Sequence, residues 1–184
     1  MVIGVLALQG DFEAHGRILA ELGATTRIVR TPADLDGLDG LVIPGGESTT
    51  MTLGIEREEL AASGTPVLGT CAGLIMLDRE HLGLLDVSAR RNAFGRQVAS
   101  FEAELDVEGL PGGPLRAVFI RAPWVEDPGD DVEVLAEVDG HAVAVRQGNM
   151  LAVAFHPEIA GDPRLHAWLL EHAGGRSRNG GSAS

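Results

Sequence analysis

Three short stretches carry residue types able to do covalent chemistry together. Gly69-Thr70-Cys71-Ala72-Gly73 stands between a short apolar run and a helix-like segment. It is the cysteine version of the G-x-S-x-G elbow. A sharp strand-to-helix turn needs small flanking residues and lifts the side chain out of the sheet edge. It also sets the sulfur at a helix N-terminus, which favours thiolate. The Ala72 amide then points where an oxyanion would form. A buried structural cysteine fits this pentapeptide equally well. Phe155-His156-Pro157-Glu158 closes a later strand-like run and offers a base with an acid two residues on. Pro157 stiffens the backbone between them. Taken alone, such a histidine is as commonly a cap or a surface residue. Pro44-Gly45-Gly46-Glu47-Ser48 also follows a strand-like run. Its paired glycines let backbone amides approach a ligand, and one such amide, from Gly45 or Gly46, would complete an oxyanion hole with Ala72. The plainer reading is a turn with Ser48 as N-cap. Five other histidines compete with His156. His15 falls in an amphipathic helix, His81 and His141 flank turns, and His166 and His172 lie on the last helix.

The elements that must position these residues alternate in the first half. Val2–Leu8 is a continuous apolar run, as in a strand buried on both faces. Phe12, His15, Leu19 and Leu22 follow at helical spacing, and Gly23 stops that helix. Strands are expected at Thr26–Val29, Leu41–Ile43 and Pro66–Gly69, with helices near Ser48–Ala62 and over Ala72–Glu80. This alternation predicts a parallel sheet covered by helices. The second half is strand-rich: Gln97–Val107, Arg116–Ile120, Val132–Val138, His141–Arg146 and Met150–Phe155. Asp139-Gly140 is a hairpin turn. Pro163–His172 is the one helix expected there. The prediction is an α/β fold in three layers, a mixed, mainly parallel sheet with antiparallel additions and helices on both faces. A single domain over 1–173 precedes a Gly-, Ser- and Arg-rich tail, 174–184, expected to be disordered. All three candidate stretches follow strands, where open α/β sheets bind ligands.

Composition narrows the chemistry further. The chain has 184 residues, with 14 basic and 27 acidic side chains and a net charge of −13. That balance argues against a nucleic-acid partner. Every basic residue is arginine, so a Walker-A lysine, a lysine Schiff base and a lysine general base are excluded. One cysteine makes neither an internal disulfide nor a Cys-rich zinc site. No metal or cofactor is called for. No apolar run reaches the ~18 residues of a membrane helix. The start lacks the basic region of a secretion signal, so a cytoplasmic setting is expected.

Further strings make the pattern specific: Leu8-Gln9-Gly10-Asp11, Pro44–Thr50, Gly69–Leu74, Arg91-Asn92-Ala93-Phe94-Gly95-Arg96-Gln97, Ser100-Phe101-Glu102, Phe119-Ile120-Arg121-Ala122-Pro123 and Phe155–Glu158. With these the chain resembles the class I glutamine amidotransferases, a flavodoxin-like group. Among them it looks most like the glutaminase subunits of two-component pyridoxal 5'-phosphate synthases. The resemblance spans Val2 to about Leu170. It implies Cys71 as nucleophile, His156 as base and acid, and Glu158 as its orienter. It further implies L-glutamine held by Gly46, Glu47, Ser48, Arg91, Ile120 and Arg121, and Gln9 near the interface with a synthase subunit in a large hetero-oligomer. Rival expectations are a glutaminase serving another synthase, a cysteine hydrolase or peptidase of similar sheet, and a binding module without catalysis. In deglycase-type hydrolases a histidine commonly follows the nucleophile; here Ala72 does.

Overall fold

The computed structural model describes residues 1–7, 12–46, 64–94 and 100–176, without the side chains of 175 and 176. The first half alternates as expected. Strand β1 (Val2–Leu6) leads to helix α1 (Phe12–Glu21), strand β2 (Thr25–Val29), a 3-10 turn (Pro32–Leu35) and strand β3 (Gly40–Ile43). Strand β4 (Val67–Thr70) and helix α2 (Ala72–Leu77) follow. Then come β5 (Ser88–Arg90), β6 (Ser100–Leu105), β7 (Leu115–Ile120), β8 (Trp124–Glu126), β9 (Glu133–Val138), β10 (His141–Gln147) and β11 (Met150–Val153). Helices α3 (Pro157–Ala160) and α4 (Arg164–Arg176) end the described chain.

Among the described residues the main sheet runs β2-β1-β3-β4-β11-β10-β8-β5, with β9 also paired to β10. Its central part is parallel from β2 through β11, and β10, β8, β5 and β9 add antiparallel pairs. Strands β3, β4 and β11 are buried along their length, which is why they read as apolar runs. Alternate residues feed two cores. Ile3, Val5, Val42, Leu68, Leu151 and Val153 pack with Leu19 of α1 and with Leu165, Trp168 and Leu169 of α4. Leu6, Leu41, Ile43, Val67, Met150 and Ala152 pack with Leu74, Met76 and Leu77 of α2. The sheet therefore carries helices on both faces, as the sequence predicts.

Several boundaries differ, each for a local reason. Helix α2 ends at Leu77 rather than Glu80, because Asp78 turns the chain: its Oδ1 accepts from the backbone N–H groups of Glu80 and His81. Strands β5 and β8 were not expected; three residues each are too short for a period-2 signal. The strand expected over 97–107 is seen as β6. It pairs with β7 in a separate two-stranded ribbon, not in the main sheet. Strand β11 stops at Val153, and the chain beyond bonds to the ribbon through His156 N–H donating to the Val118 carbonyl at 2.9 Å. A second-half helix, α3, was also unexpected, and α4 runs to Arg176, into the stretch assigned to the tail. The expected helix near 48–62 and residues 177–184 lie outside the described residues. The Asp139-Gly140 turn has φ of 52° and 76°, the paired positive values of a tight hairpin.

Candidate active site

Strands β3, β4 and β11 are neighbours, and their C-terminal ends deliver the three stretches to one place. The parallel register pairs Ile43 with Gly69 and Val153 with Thr70. The next residues, Gly45, Cys71 and His156, therefore converge. Cys71 N–H donates to the Val153 carbonyl at 2.8 Å, fixing the turn to β11. Cys71 itself has φ 50° and ψ −107°, a conformation L residues seldom adopt. Such strain persists only where the surroundings impose it. The glycines around it are dictated by packing. A Cβ on Gly73 would sit 2.0 Å from the Ile43 carbonyl oxygen, and one on Gly69 would sit 2.7 Å from Leu77 Cδ1. Helix α2 can start where it does only because Gly73 lets it press against β3.

Gly45 is the third wall. A Cβ there would meet His156 Cε1 at 2.8 Å and Cys71 Cβ at 3.2 Å. The thiol and the imidazole thus share one glycine-lined cradle, close enough for Cys71 to raise the His156 pKa. On the other side of the ring, His156 Nδ1 lies 2.7 Å from Glu158 Oε1. That leaves Nε2 for the thiol. Glu158 reaches back because Pro157 opens the short helix α3, with His156 as its N-cap. The acid therefore sits in a helical first turn, not on the strand end expected from sequence. Burial pulls the His156 pKa down, but its bonds to Cys71 and Glu158 overcome this and raise it to about 10.

The remaining sequence candidates distribute as follows. Ala72 is the first residue of α2, where a backbone N–H has no intrahelical partner. Gly46 is exposed, with φ 152°. Ile120 brings its carbonyl to the site, 3.9 Å from Cys71 Sγ as acceptor. Arg121 is exposed, with φ 43°. The next residue ties in the other arginine segment: Ala93 N–H donates to the Ala122 carbonyl at 3.0 Å. Arg91 is exposed and extends toward His81, with Nη2 to Nε2 3.4 Å. Gln9, Glu47 and Ser48 lie outside the described residues. Phe155, beside His156, packs edge-on against Phe119, which stacks on Phe101 with centroids 4.5 Å apart. This aromatic wedge fixes the strand end that carries the histidine.

Sequence reasoning missed the polar layer behind the site. His15 Nε2 lies 3.3 Å from Glu158 Oε2 and 3.4 Å from the Thr70 hydroxyl. Its Nδ1 is 2.8 Å from His166 Nε2. His15 and His166 are both fully buried. Their placement on helices α1 and α4 was legible, but not that the two helices meet behind Glu158. The available signal was a histidine on the apolar face of each helix.

An open α/β sheet with a strained cysteine elbow and a histidine–acid pair at neighbouring strand ends is the architecture of the glutamine amidotransferases. The chain belongs to the SNO glutamine amidotransferase family, whose pattern it matches over residues 5–174. It is 55% identical over 182 residues to the pyridoxal 5'-phosphate synthase subunit PdxT of Streptomyces coelicolor, covering 90% of each chain. To the subunit of the same name from Rhodococcus opacus it is 49% identical, covering 92% of this chain and 96% of that one. A crystal structure of a glutamine amidotransferase superposes with a TM-score of 0.86 at 48% identity, covering 95% of this chain and all of the other.

Proposed function

We propose that this protein hydrolyses the side-chain amide of L-glutamine to L-glutamate and ammonia, and hands the ammonia to a synthase partner that makes pyridoxal 5'-phosphate. The observation that carries this reading is the placement of the Cys71 thiol and the His156 imidazole against Gly45, with His156 hydrogen-bonded to Glu158 on its other side. Cys71 Sγ, its proton passed to His156, attacks the amide carbon. The oxyanion is held by the Ala72 N–H and by the N–H of Gly45 or Gly46, each contributing on the order of 3 kcal/mol. His156 returns its proton to the leaving nitrogen, ammonia departs and a thioester remains. His156 then takes a proton from water, hydroxide adds to the thioester, and glutamate leaves with the thiol restored. Glu158 keeps the imidazole in the Nδ1–H tautomer throughout. Gly46, Glu47, Ser48, Arg91, Ile120 and Arg121 hold the substrate.

Free ammonia in water is protonated and lost to further attack, which favours a docked partner. Gln9 is the candidate residue for the partner interface, and the assembly is a large cytoplasmic hetero-oligomer that needs neither nucleic acid nor membrane. No helix among the described residues is long and apolar enough to cross a membrane. Ammonia release from glutamine, measured with and without the synthase, tests the reading. Release that rises when the synthase is added supports it, and equal rates count against coupling. A Cys71→Ala variant that retains the wild-type rate rules out the chemistry.

A further inference from the structure

The mechanism above uses one oxygen of Glu158. The other, Oε2, is buried and has no hydrogen bond of good geometry among the described residues. A buried carboxylate oxygen needs a donor nearby. The group placed to serve is His15 Nε2, 3.3 Å away. The same nitrogen lies 3.4 Å from the hydroxyl of Thr70, the residue before Cys71. His15 thus touches both the acid and the strand end that carries the nucleophile.

We propose that His15 is a positioning residue of the glutaminase site: its Nε2–H faces Glu158 Oε2 and holds the carboxylate so that Oε1 keeps its bond to His156 Nδ1–H. The inference rests on the function proposed above. The tautomer follows from the neighbours. Nε2–H toward the carboxylate is attractive, whereas a lone pair there is repulsive. Nδ1 then accepts from His166 Nε2–H at 2.8 Å. With that tautomer the donors run one way, from His166 to His15 to Glu158, and Glu158 lies between two imidazoles. The titratable groups facing His15 are Glu158, His166 and His156. Burial, then His166 and His156, hold the His15 pKa well below its ordinary value. Burial pushes His166 down to about 4, against the pull of Asp162. Both rings are therefore neutral at working pH, which the one-way arrangement requires. A protonated His15 would compete with His156 for the charge of Glu158.

The test is steady-state glutaminase activity of the full chain together with its synthase partner, across pH. His15→Leu keeps bulk and removes the donor. His15→Gln sets an amide N–H near the position of Nε2, and His15→Asn reaches only the position of Nδ1. With His15→Leu, kcat should fall roughly tenfold to a hundredfold, less than loss of a general acid–base itself. KM should stay within about twofold, because the contact is remote from substrate. The alkaline limb of the pH–rate profile should move to lower pH, since a loosened Glu158 supports the His156 proton less well. His15→Gln should recover most of the rate and return the limb, and His15→Asn should not. A His15→Leu enzyme with wild-type kcat and an unmoved limb would overturn the proposal. Should His15→Leu fail to fold, the Gln and Asn variants decide: Gln above Asn supports the role, and equal or reversed rates contradict it. Wild-type complex that releases no ammonia from glutamine would instead remove the function on which this rests.

Discussion

Helix α2 separates two imidazole–carboxylate pairs of the same length. Before its first turn, His156 Nδ1 meets Glu158 at 2.7 Å. Past its last turn, His81 Nδ1 meets Asp78 at 2.7 Å. Each carboxylate side chain is 2% exposed. They differ in what surrounds them. Asp78 Oδ1 also accepts from the backbone of Glu80 and His81, and Oδ2 accepts from Ala89 N–H at 3.3 Å. Its work is to turn the chain. His81 Nε2 faces the Arg91 guanidinium, which can only donate. His156 instead faces a thiol, and both press against Gly45, where no larger residue fits. The separation of histidine and acid therefore does not mark chemistry. The group on the far side of the ring does.

The largest effect that would break this contrast is at the nucleophile. Cys71→Ala should lower glutaminase turnover by more than ~10³-fold, with no comparable loss from His81→Ala. Next, Gly45→Ala puts a methyl group against both the imidazole and the Cys71 Cβ. We expect a loss of roughly 10²-fold in kcat with the fold retained, read by paired activity and thermal melts. Gly73→Ala serves as its opposite, because its clash is with backbone at Ile43, and it should destabilise the protein by more than ~2 kcal/mol.

A sharper comparison replaces the two acids. Glu158→Gln should cut kcat by about 10- to 100-fold and draw the alkaline limb down from about pH 10, where His156 gives up its proton. Asp78→Asn should leave that limb in place and lower unfolding free energy by ~1–3 kcal/mol through the lost backbone bonds. The smallest effect lies in acid stability. His15 and His166 stay neutral in the folded chain but protonate near their ordinary value of 6.5 once unfolded. The unfolded state then binds more protons, so stability falls as pH drops from about 6.5 toward about 4. Each proton taken up contributes ~1.4 kcal/mol per pH unit. His156, whose pKa is raised to about 10, opposes this decline only near pH 6.5, where the unfolded imidazole is part-deprotonated, and adds no slope further down. Urea melts at several pH values should show the decline, and His166→Phe should flatten it.

Much of the architecture was legible because buried parallel strands leave unbroken apolar runs, as at Leu41–Ile43 and around Leu68. The elbow was legible because Gly69 and Gly73 answer a steric demand that no larger residue meets. The short strands β5 and β8 left no period to read. Helix α2 ends early through a side-chain bond of Asp78 to its own turn, which apolar spacing cannot register. The layer formed by His15, Thr70 and His166 depends on helices α1 and α4 meeting behind β4. That contact is between segments far apart in the chain, and one histidine on each apolar face is a faint trace of it. The position of Glu158 was anticipated in partnership but not in setting, since Pro157 starts a helix there and does not prolong the strand.

The central claim is that Cys71 is held by His156 and Glu158 to attack the side-chain amide of glutamine. Its most direct test is labelling with a glutamine-analogue diazoketone, followed by peptide mass mapping. The account predicts one adduct, on Cys71, blocked by L-glutamine and strongly slowed in Glu158→Gln. Labelling that glutamine does not protect against, or that proceeds at the same rate without His156, would contradict it.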